Sequence, residues 1–562
     1  MIGWALKRTL VEYSLDKFMR DCLSGIIVSL VALPLAMALS IAVGLSPQYG
    51  LYTAIVAGIV TPLLGGSVHQ VSGPTAAFVV ILAPIVTTHG MRGLILTTVI
   101  AGFILVLAGA FKIGRYIRYI PYPVTTGFTS GIAVVIAILS LNDFFGLGLT
   151  MPDHFFDKVV LIFQAIKTQG IHWPEFAVGG ISLFVMGISR MLVPKFPAPI
   201  LGVITGTLVS LLLIQFGISV DTIGTHFQYT LPNGLIGHGV PPSAPVFQFF
   251  GFSGSDLFKV PSLQELKILF IPGVVVAALA ALESVLSATV ADGMAGTKHH
   301  PNSELVGIGM SNILCGLASG IPATGAIART ATNIQSGGRT PIASALHGIF
   351  ILAYVVFFSD LISILPMSSL AAILLITAYR MSHIQQFVRV LKIGPIEDSI
   401  ALVLCFLFTT CIDMVAGVTV GVITSCFLLV KRLAGITELK VSAQKVKFFD
   451  PRVNDSLPTD VAVYHINGSI FFGNVEEILE QIEYLDPNIH QFVIDLTGVP
   501  FVDITGMVSL KRTFTTLSLH NKRIIVCAKR AILEQMKNKL HPDHLNIIFE
   551  ESLESAIKKI NP

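Results

Sequence analysis

Fourteen apolar runs fill most of the first 432 residues, near 23–43, 49–65, 74–88, 92–111, 124–142, 175–191, 197–217, 270–291, 304–319, 325–336, 342–358, 362–379, 396–412 and 414–430. Most of them can cross a hydrocarbon layer about 30 Å thick. Lipid offers no partner for a peptide N–H or C=O, so a continuous apolar run of this kind must satisfy its own backbone as a helix. The fold class is therefore a polytopic α-helical membrane protein. With 53% hydrophobic and only 12% charged residues over 562, the chain lies outside ordinary soluble composition. A net charge of +3, with no basic run interleaved with aromatics, argues against a nucleic-acid partner.

Charge placement orients the segments. Loops on one side carry Lys112, Arg115, Arg118, Arg190, Lys195, Lys298, Arg339, Arg380, Arg389 and Lys392, while the other side has only Arg92, Lys158, Lys167, Lys259 and Lys267. By the positive-inside rule, both termini are expected to be cytoplasmic. The first twenty residues, with Lys7, Arg8, Lys17 and Arg20 among acidic neighbours, read as a cytoplasmic amphipathic lead-in without a cleaved signal. The six cysteines stand singly, without CxxC spacing, and read as packing residues.

Two short interruptions fall at matching places in the halves 20–217 and 268–432: Ser72-Gly73-Pro74-Thr75 and Ala323-Thr324-Gly325-Ala326-Ile327-Ala328-Arg329. Gly25 likewise answers Gly273, and Gly73 answers Gly325. Seven segments per half invert the second copy, so a seven-plus-seven inverted repeat with its site at the repeat interface is expected. Non-helical backbone survives at membrane depth only where it lines a protein cavity. Each break then presents a helix N-terminus, whose N–H groups and dipole favour an anion.

Arg329 adds a full cation whose planar fork suits an oxyanion, or else it is locked to backbone carbonyls or to Glu283 as scaffold. Ser72, Gly73 and Thr75, with Pro74 at the first helical position, are expected to offer backbone amides to the substrate. Glu283, alone among apolar neighbours in Val274–Val290, is the candidate proton-coupling residue, with neutralisation of Arg329 or a tie between the broken helix ends as the alternatives. Aligning Gly25 with Gly273 sets Leu35 opposite Glu283, and Leu35 and Pro34 should face the same cavity. Asp292 reads as a solvated or loop-ordering carboxylate, His299-His300 as a solvated pair without metal-ligand spacing, and His347 as a hydrogen-bonded core histidine. No phosphate loop, nucleophile elbow, cofactor motif or metal cluster stands in the sequence, so an ion or substrate gradient is the expected energy source.

After Arg432 the composition turns soluble. Strands are expected at 461–466, 491–496 and 523–528 and helices at 475–484, 504–519 and 531–540, a small α/β domain. The expected division is 1–20 as a lead-in, 21–432 as the membrane domain, 433–457 as a linker and 458–562 as the α/β domain.

The stretches Leu33-Pro34-Leu35-Ala36-Met37-Ala38, Ser46-Pro47-Gln48-Tyr49-Gly50-Leu51-Tyr52, Ser72-Gly73-Pro74-Thr75-Ala76, Gly127-Phe128-Thr129-Ser130-Gly131, Asn302-Ser303-Glu304-Leu305 and Arg329-Thr330-Ala331 resemble those of the sulfate permease family, also called solute carrier family 26. That resemblance implies an anion transporter with a seven-plus-seven membrane domain, a cytoplasmic STAS domain and a homodimeric state, in a bacterial inner membrane. Asp292-Gly293-Met294-Ala295-Gly296-Thr297-Lys298-His299 and Ser72 through Leu82 are most similar to bacterial C4-dicarboxylic acid transporters of that family, which implies uptake of succinate, fumarate or aspartate, and a tail that contacts acyl carrier protein. Leu35 and Ala328 depart from the Gln and Ser found in many members, so the pocket is less polar than the sulfate-type pattern. Thr330 joins the expected substrate-binding set. In the tail, Thr505 occupies the phosphorylatable position of related STAS domains, though an Asp-x-Thr helix cap explains it equally. Bicarbonate or sulfate uptake, an anion channel, or a membrane sensor signalling through the STAS domain remain alternatives.

Overall fold

The structure is a computed structural model, and residues 3–11, 13–152, 154–192, 197–230, 236–252, 256–436, 438–442, 460–483, 489–540 and 547–560 are described. The chain divides into two compact units, residues 1–422 and 423–562.

Helices α1 (Trp4–Leu10), α2 (Leu15–Ala42) and α3 (Pro47–Leu64) lead to a two-residue strand, β1 (Ser72–Gly73), and then to α4 (Val79–Ala110). Gly90 breaks α4 with φ 61 and ψ −164, so α4 is two helices joined at a kink and supplies two of the expected segments. The first half closes with α5 (Tyr122–Phe145), α6 (Phe155–Thr168), α7 (Trp173–Leu192) and α8 (Ala198–Gln215). A short α9 (Ile223–His226) and a hairpin, β2 (Gln228–Thr230) with β3 (Ile236–His238), link the halves. The second half runs through α10 (Leu263–Ala295), α11 (Pro301–Leu317), β4 (Thr324–Gly325), α12 (Ile327–Gln335), α13 (Pro341–Phe357), α14 (Ser359–Ser363), α15 (Met367–Met381), α16 (Ile384–Ile393), α17 (Ile396–Cys411) and α18 (Met414–Ile436). Every expected apolar segment is thus a helix or part of one.

Two helices start well before their apolar runs. Ser14 caps α2, accepting from Lys17 N, and the helix then passes through Lys17 and Arg20 before its apolar stretch. Ser262 and Glu265 form a reciprocal capping box that opens α10. The Ser-x-x-Glu spacing marks that start in the sequence, whereas hydropathy finds only the lipid-length portion. Helices α6 and α16 have no counterpart among the expected segments, since they are amphipathic and contain no apolar run long enough to cross a membrane.

The inverted repeat shows in the packing. In the first half's terms α2 and α3 pack on α13, and in the second half's terms α10 and α11 pack on α4. Gly25 and Gly273 serve those two contacts alike: a Cβ at Gly25 would lie 3.2 Å from Ala343 O, and one at Gly273 would lie 2.5 Å from Ile100 Cγ2. The first of these contacts is fastened at its end by Asp21, which accepts from Arg339 N at 2.7 Å and Thr340 Oγ1 at 2.5 Å. A second group of helices, in which α15 packs on α5, α7 and α8, and α17 on α5, completes the unit.

Within the second unit, β5 (Glu438–Ser442) runs antiparallel to β6 (Val461–Asn467), and β7 (Gln491–Gly498), β8 (Arg523–Ala528) and β9 (Ile547–Glu550) continue in parallel, giving the order β5-β6-β7-β8-β9. Alternation along the strands divides the core. Tyr464, Phe492, Ile494 and Val526 face α19 (Val475–Glu483), α20 (Ile504–Leu519) and α21 (Arg530–Leu540), whereas Val463, Val493, Ile525 and Cys527 face α22 (Leu553–Ile560). Both faces being covered explains why these strands read as near-continuous apolar runs. Thr505 is exposed in the first turn of α20, while Asp503 caps that helix by accepting from Gly506 N at 2.6 Å.

Burial, with Asp495 and Glu550 nearby, pushes the Cys527 thiol up to about 12. The reactive thiolate is therefore scarce at neutral pH. Maleimide treatment of the native protein is expected to leave Cys527 unlabelled until denaturant is added, as read by peptide mass spectrometry; rapid native labelling would contradict this packing.

Candidate functional site

The two breaks meet. Strands β1 and β4 pair antiparallel, Ser72 with Gly325 and Gly73 with Thr324. Exchanging the halves turns the first pair into the second, so the register makes Gly73 equivalent to Gly325, as the sequence spacing predicts. Both glycines leave room for a side chain from across the site: a Cβ on Gly73 would lie 2.5 Å from Arg329 Nη1 and one on Gly325 2.2 Å from Gln70 Nε2, so either side chain would have to move.

Buried polar side chains hold the extended segments where the membrane offers no water. Glu304 on α11 accepts from Gly66 N at 2.8 Å, Ser67 N at 2.9 Å and Gln70 Nε2 at 2.8 Å. Asn312 grips Ala323 at both its N–H and its C=O, each at 2.9 Å. Asn333 donates to His69 O at 2.8 Å, and Ser284 accepts from Gly325 N at 3.0 Å. These partners satisfy main-chain groups that would otherwise be stranded.

Beyond the ladder, both helix starts are left without side-chain caps. Thr75 occupies the cap position before the 3-10 turn Ala76–Phe78, yet its hydroxyl donates to Glu283 Oε2 at 2.9 Å. Ala326 at the cap of α12 has no side chain able to accept. Pro74 therefore precedes the cap and is not the first helical residue. Its carbonyl accepts instead from Arg329 Nη2.

Arg329 is 1% exposed, and its Nε and Nη1 have no hydrogen-bond partner among the described residues. The alternative in which Glu283 neutralises Arg329 finds no support in the contacts: Glu283 bonds Thr75, and no carboxylate bonds the guanidinium among the described residues.

A cavity of about 920 Å³ opens beside these groups, and Leu35, Thr75, Glu283, Ala328 and Arg329 all line it. Leu35 and Glu283 thus meet there, as their equivalence in the repeat predicts. Four residues expected there do not line it: Ser72, Gly73, Thr330, and Pro34, which is buried inside α2. Ser72 and Gly73 sit behind the lining in the ladder, and Thr330 accepts from Val71 N at 3.0 Å while its hydroxyl lies 3.3 Å from Ser287 Oγ. Thr330 is a fastener of the first break, because it follows Arg329 by one residue and so turns to another face of α12. The residues of α12 that line it are instead Ile327, Ala328, Arg329, Thr332 and Gln335, with Ser336 just past its end, and beyond the first turn they follow a helical spacing that is present in the sequence. From the second group of helices come Ile373, Thr377 and Arg380 on α15.

The His299-His300 pair is not solvated as expected. His299 Nδ1 lies 2.7 Å from Asp292 Oδ2, and His300 Nδ1 accepts from Ser303 N at 3.1 Å as the cap of α11. Asp292, which also accepts from Thr297 Oγ1 at 2.8 Å, orders that loop. His347 is buried, with Nδ1 2.9 Å from Ser344 O.

The family description "Sulfate permease family" matches residues 18–404, and that of the STAS domain matches residues 453–556. The chain belongs to the sulfate permease family. Among curated sulfate permease relatives, the Bacillus subtilis (strain 168) protein named "Putative sulfate transporter YvdB" is 34% identical over 534 residues, covering 94% of each chain. The bicarbonate transporter BicA of Picosynechococcus is 25% identical over 572 residues, covering 96% of this chain and 95% of its own. The overall structure of SLC26A9 superposes with a TM-score of 0.82 at 16% identity, over 99% of this chain and 92% of that one. This sulfate permease homologue is, by its family, an anion transporter of the membrane with a STAS domain in its C-terminal part.

Proposed function

We propose that the protein is a secondary active transporter that takes up C4-dicarboxylates such as succinate, fumarate or aspartate with protons. Its buried guanidinium carries the reading: Arg329 lines a cavity flanked by two uncapped helix N-termini, and its Nε and Nη1 have no partner among the described residues. Such a site attracts negative charge and suits a carboxylate fork to fork. Leu35, Ala328 and Ile373 supply an apolar wall that fits a methylene spine between two carboxylates. Glu283, reaching the cavity through its bond to Thr75, is the proton-coupling residue.

In this reading α2, α3, α4 and α10 to α13 move as one bundle against the remaining helices, with both termini in the bacterial cytoplasm. The protein acts as a homodimer, its STAS domain docks acyl carrier protein, and Thr505 is a candidate for modification. A second reading, sulfate or bicarbonate uptake, follows from relatives named for those anions.

Uptake of labelled succinate, sulfate and bicarbonate into proteoliposomes, with and without an inward proton gradient, separates the two. Succinate accumulation stimulated by the gradient is expected, and Glu283→Gln should abolish the stimulation while succinate–succinate exchange continues. Accumulation of sulfate or bicarbonate without succinate would reject the dicarboxylate reading.

A further inference from the structure

The ionisable side chains lining the cavity are Glu283, Arg329, Arg380 and His383. Arg329 stands on α12, in the bundle that carries both breaks. Arg380 stands in the last turn of α15, in the other bundle, one turn beyond Thr377, which lines the same cavity. His383 follows at a left-handed φ of 42, where the chain leaves α15 for α16.

A cation in a final helical turn is favoured by the helix dipole alone. That explanation covers its position along α15 but not its place on the cavity wall. Charge counting supplies a reason. With Glu283 ionised, Arg329 alone leaves the wall neutral, a poor host for an ion of charge −2. Arg380 adds a second guanidinium to that wall from the opposite bundle, the further cation that a divalent anion calls for beyond Arg329.

We propose that Arg380 is a second anion-holding residue, so that a divalent anion is held by Arg329 from one bundle and by Arg380 from the other. A monovalent anion engages Arg329 alone. The inference rests on anion transport through this cavity, not on the identity of the divalent anion.

The test compares KM for succinate and sulfate, which are divalent at neutral pH, with KM for bicarbonate, which is monovalent, in proteoliposomes of the full chain. Loss of a charge-assisted bond predicts that Arg380→Ala raises KM about tenfold for the divalent anion that is carried, with bicarbonate changed about twofold or less. Arg380→Lys should recover part of the difference, because charge is kept and the fork is lost. Arg380→Gln is read in place of the alanine variant if the latter does not purify as a monodisperse protein. Equal changes for divalent and monovalent anions, or no change in either, would overturn the proposal. Should the wild type carry sulfate and not succinate, the dicarboxylate reading fails, yet the sulfate-to-bicarbonate comparison still decides Arg380. A wild type that carries bicarbonate and neither divalent anion overturns both.

Discussion

Replacing Arg329 with alanine is expected to abolish anion binding while leaving the fold intact. Two buried guanidinium donors, Nε and Nη1, have no hydrogen-bond partner among the described residues, and in the proposed reading they are the ones that turn to the anion. Charge-assisted bonds contribute about 1.5–3 kcal/mol each, so losing both weakens binding by roughly 100-fold or more. Stability should move the other way or not at all. A desolvated cation with one hydrogen bond, to the Pro74 carbonyl, is a burden on the folded state that alanine removes. Lysine at this position keeps the charge but loses the bidentate geometry, and an intermediate loss is expected. The measurement pairs radioligand binding on detergent-purified protein with its thermal unfolding midpoint. Affinity retained within about threefold would show that the guanidinium is scaffold, given that one ordinary bidentate pair exceeds that margin.

Glu304→Ala should give the opposite pattern, a large loss of stability with function failing only because the protein fails. Its carboxylate satisfies Gly66 N, Ser67 N and Gln70 Nε2, and it is 1% exposed. Deleting it strands three buried donors, each costing about 1–3 kcal/mol. A destabilisation of about 3 kcal/mol or more follows, read as a lower unfolding midpoint and a collapse of monodisperse yield. Glu304→Gln keeps one acceptor oxygen and should fall between. If the alanine variant unfolds at the wild-type midpoint, water or a repacked loop must take over all three amides, and the account of how the first break is held is wrong.

The two experiments separate what was legible in the sequence from what was not. Segment positions follow from hydropathy because lipid selects apolar side chains along the whole crossing. The breaks follow from Gly73, Pro74 and Gly325, since these are the residues that a continuous helix disfavours. The meeting of the two breaks needed the repeat argument, and the register of β1 with β4 agrees with it. Neighbours on a helix were harder. Thr330 enters the expected set through the resemblance that covers Arg329-Thr330-Ala331, yet adjacent positions point about 100° apart on a helix and only every third or fourth residue returns to the same face. Applied to α12, that spacing excludes Thr330 and admits Thr332 and Gln335. Glu304, Asn312 and Asn333 carried a signal too, being polar side chains inside apolar helices, but the signal marks a buried polar group without saying what it holds. Arg380 was counted as a loop charge for topology, and nothing in linear sequence distinguishes a cation facing lipid headgroups from one facing a cavity.

The uncapped starts of α4 and α12 have a bearing on how such a protein changes over generations. A peptide N–H is present whatever side chain its residue bears, proline excepted, so drift among the side chains does not erase the pull on negative charge. The walls are different. Leu35, Ala328 and Glu283 can each be exchanged by a single codon change without touching the main chain that, in the proposed reading, draws the anion in. A lineage built on this plan can thus alter what it carries while always carrying anions, and relatives named for sulfate and for bicarbonate on one backbone are the outcome to expect from that division of labour.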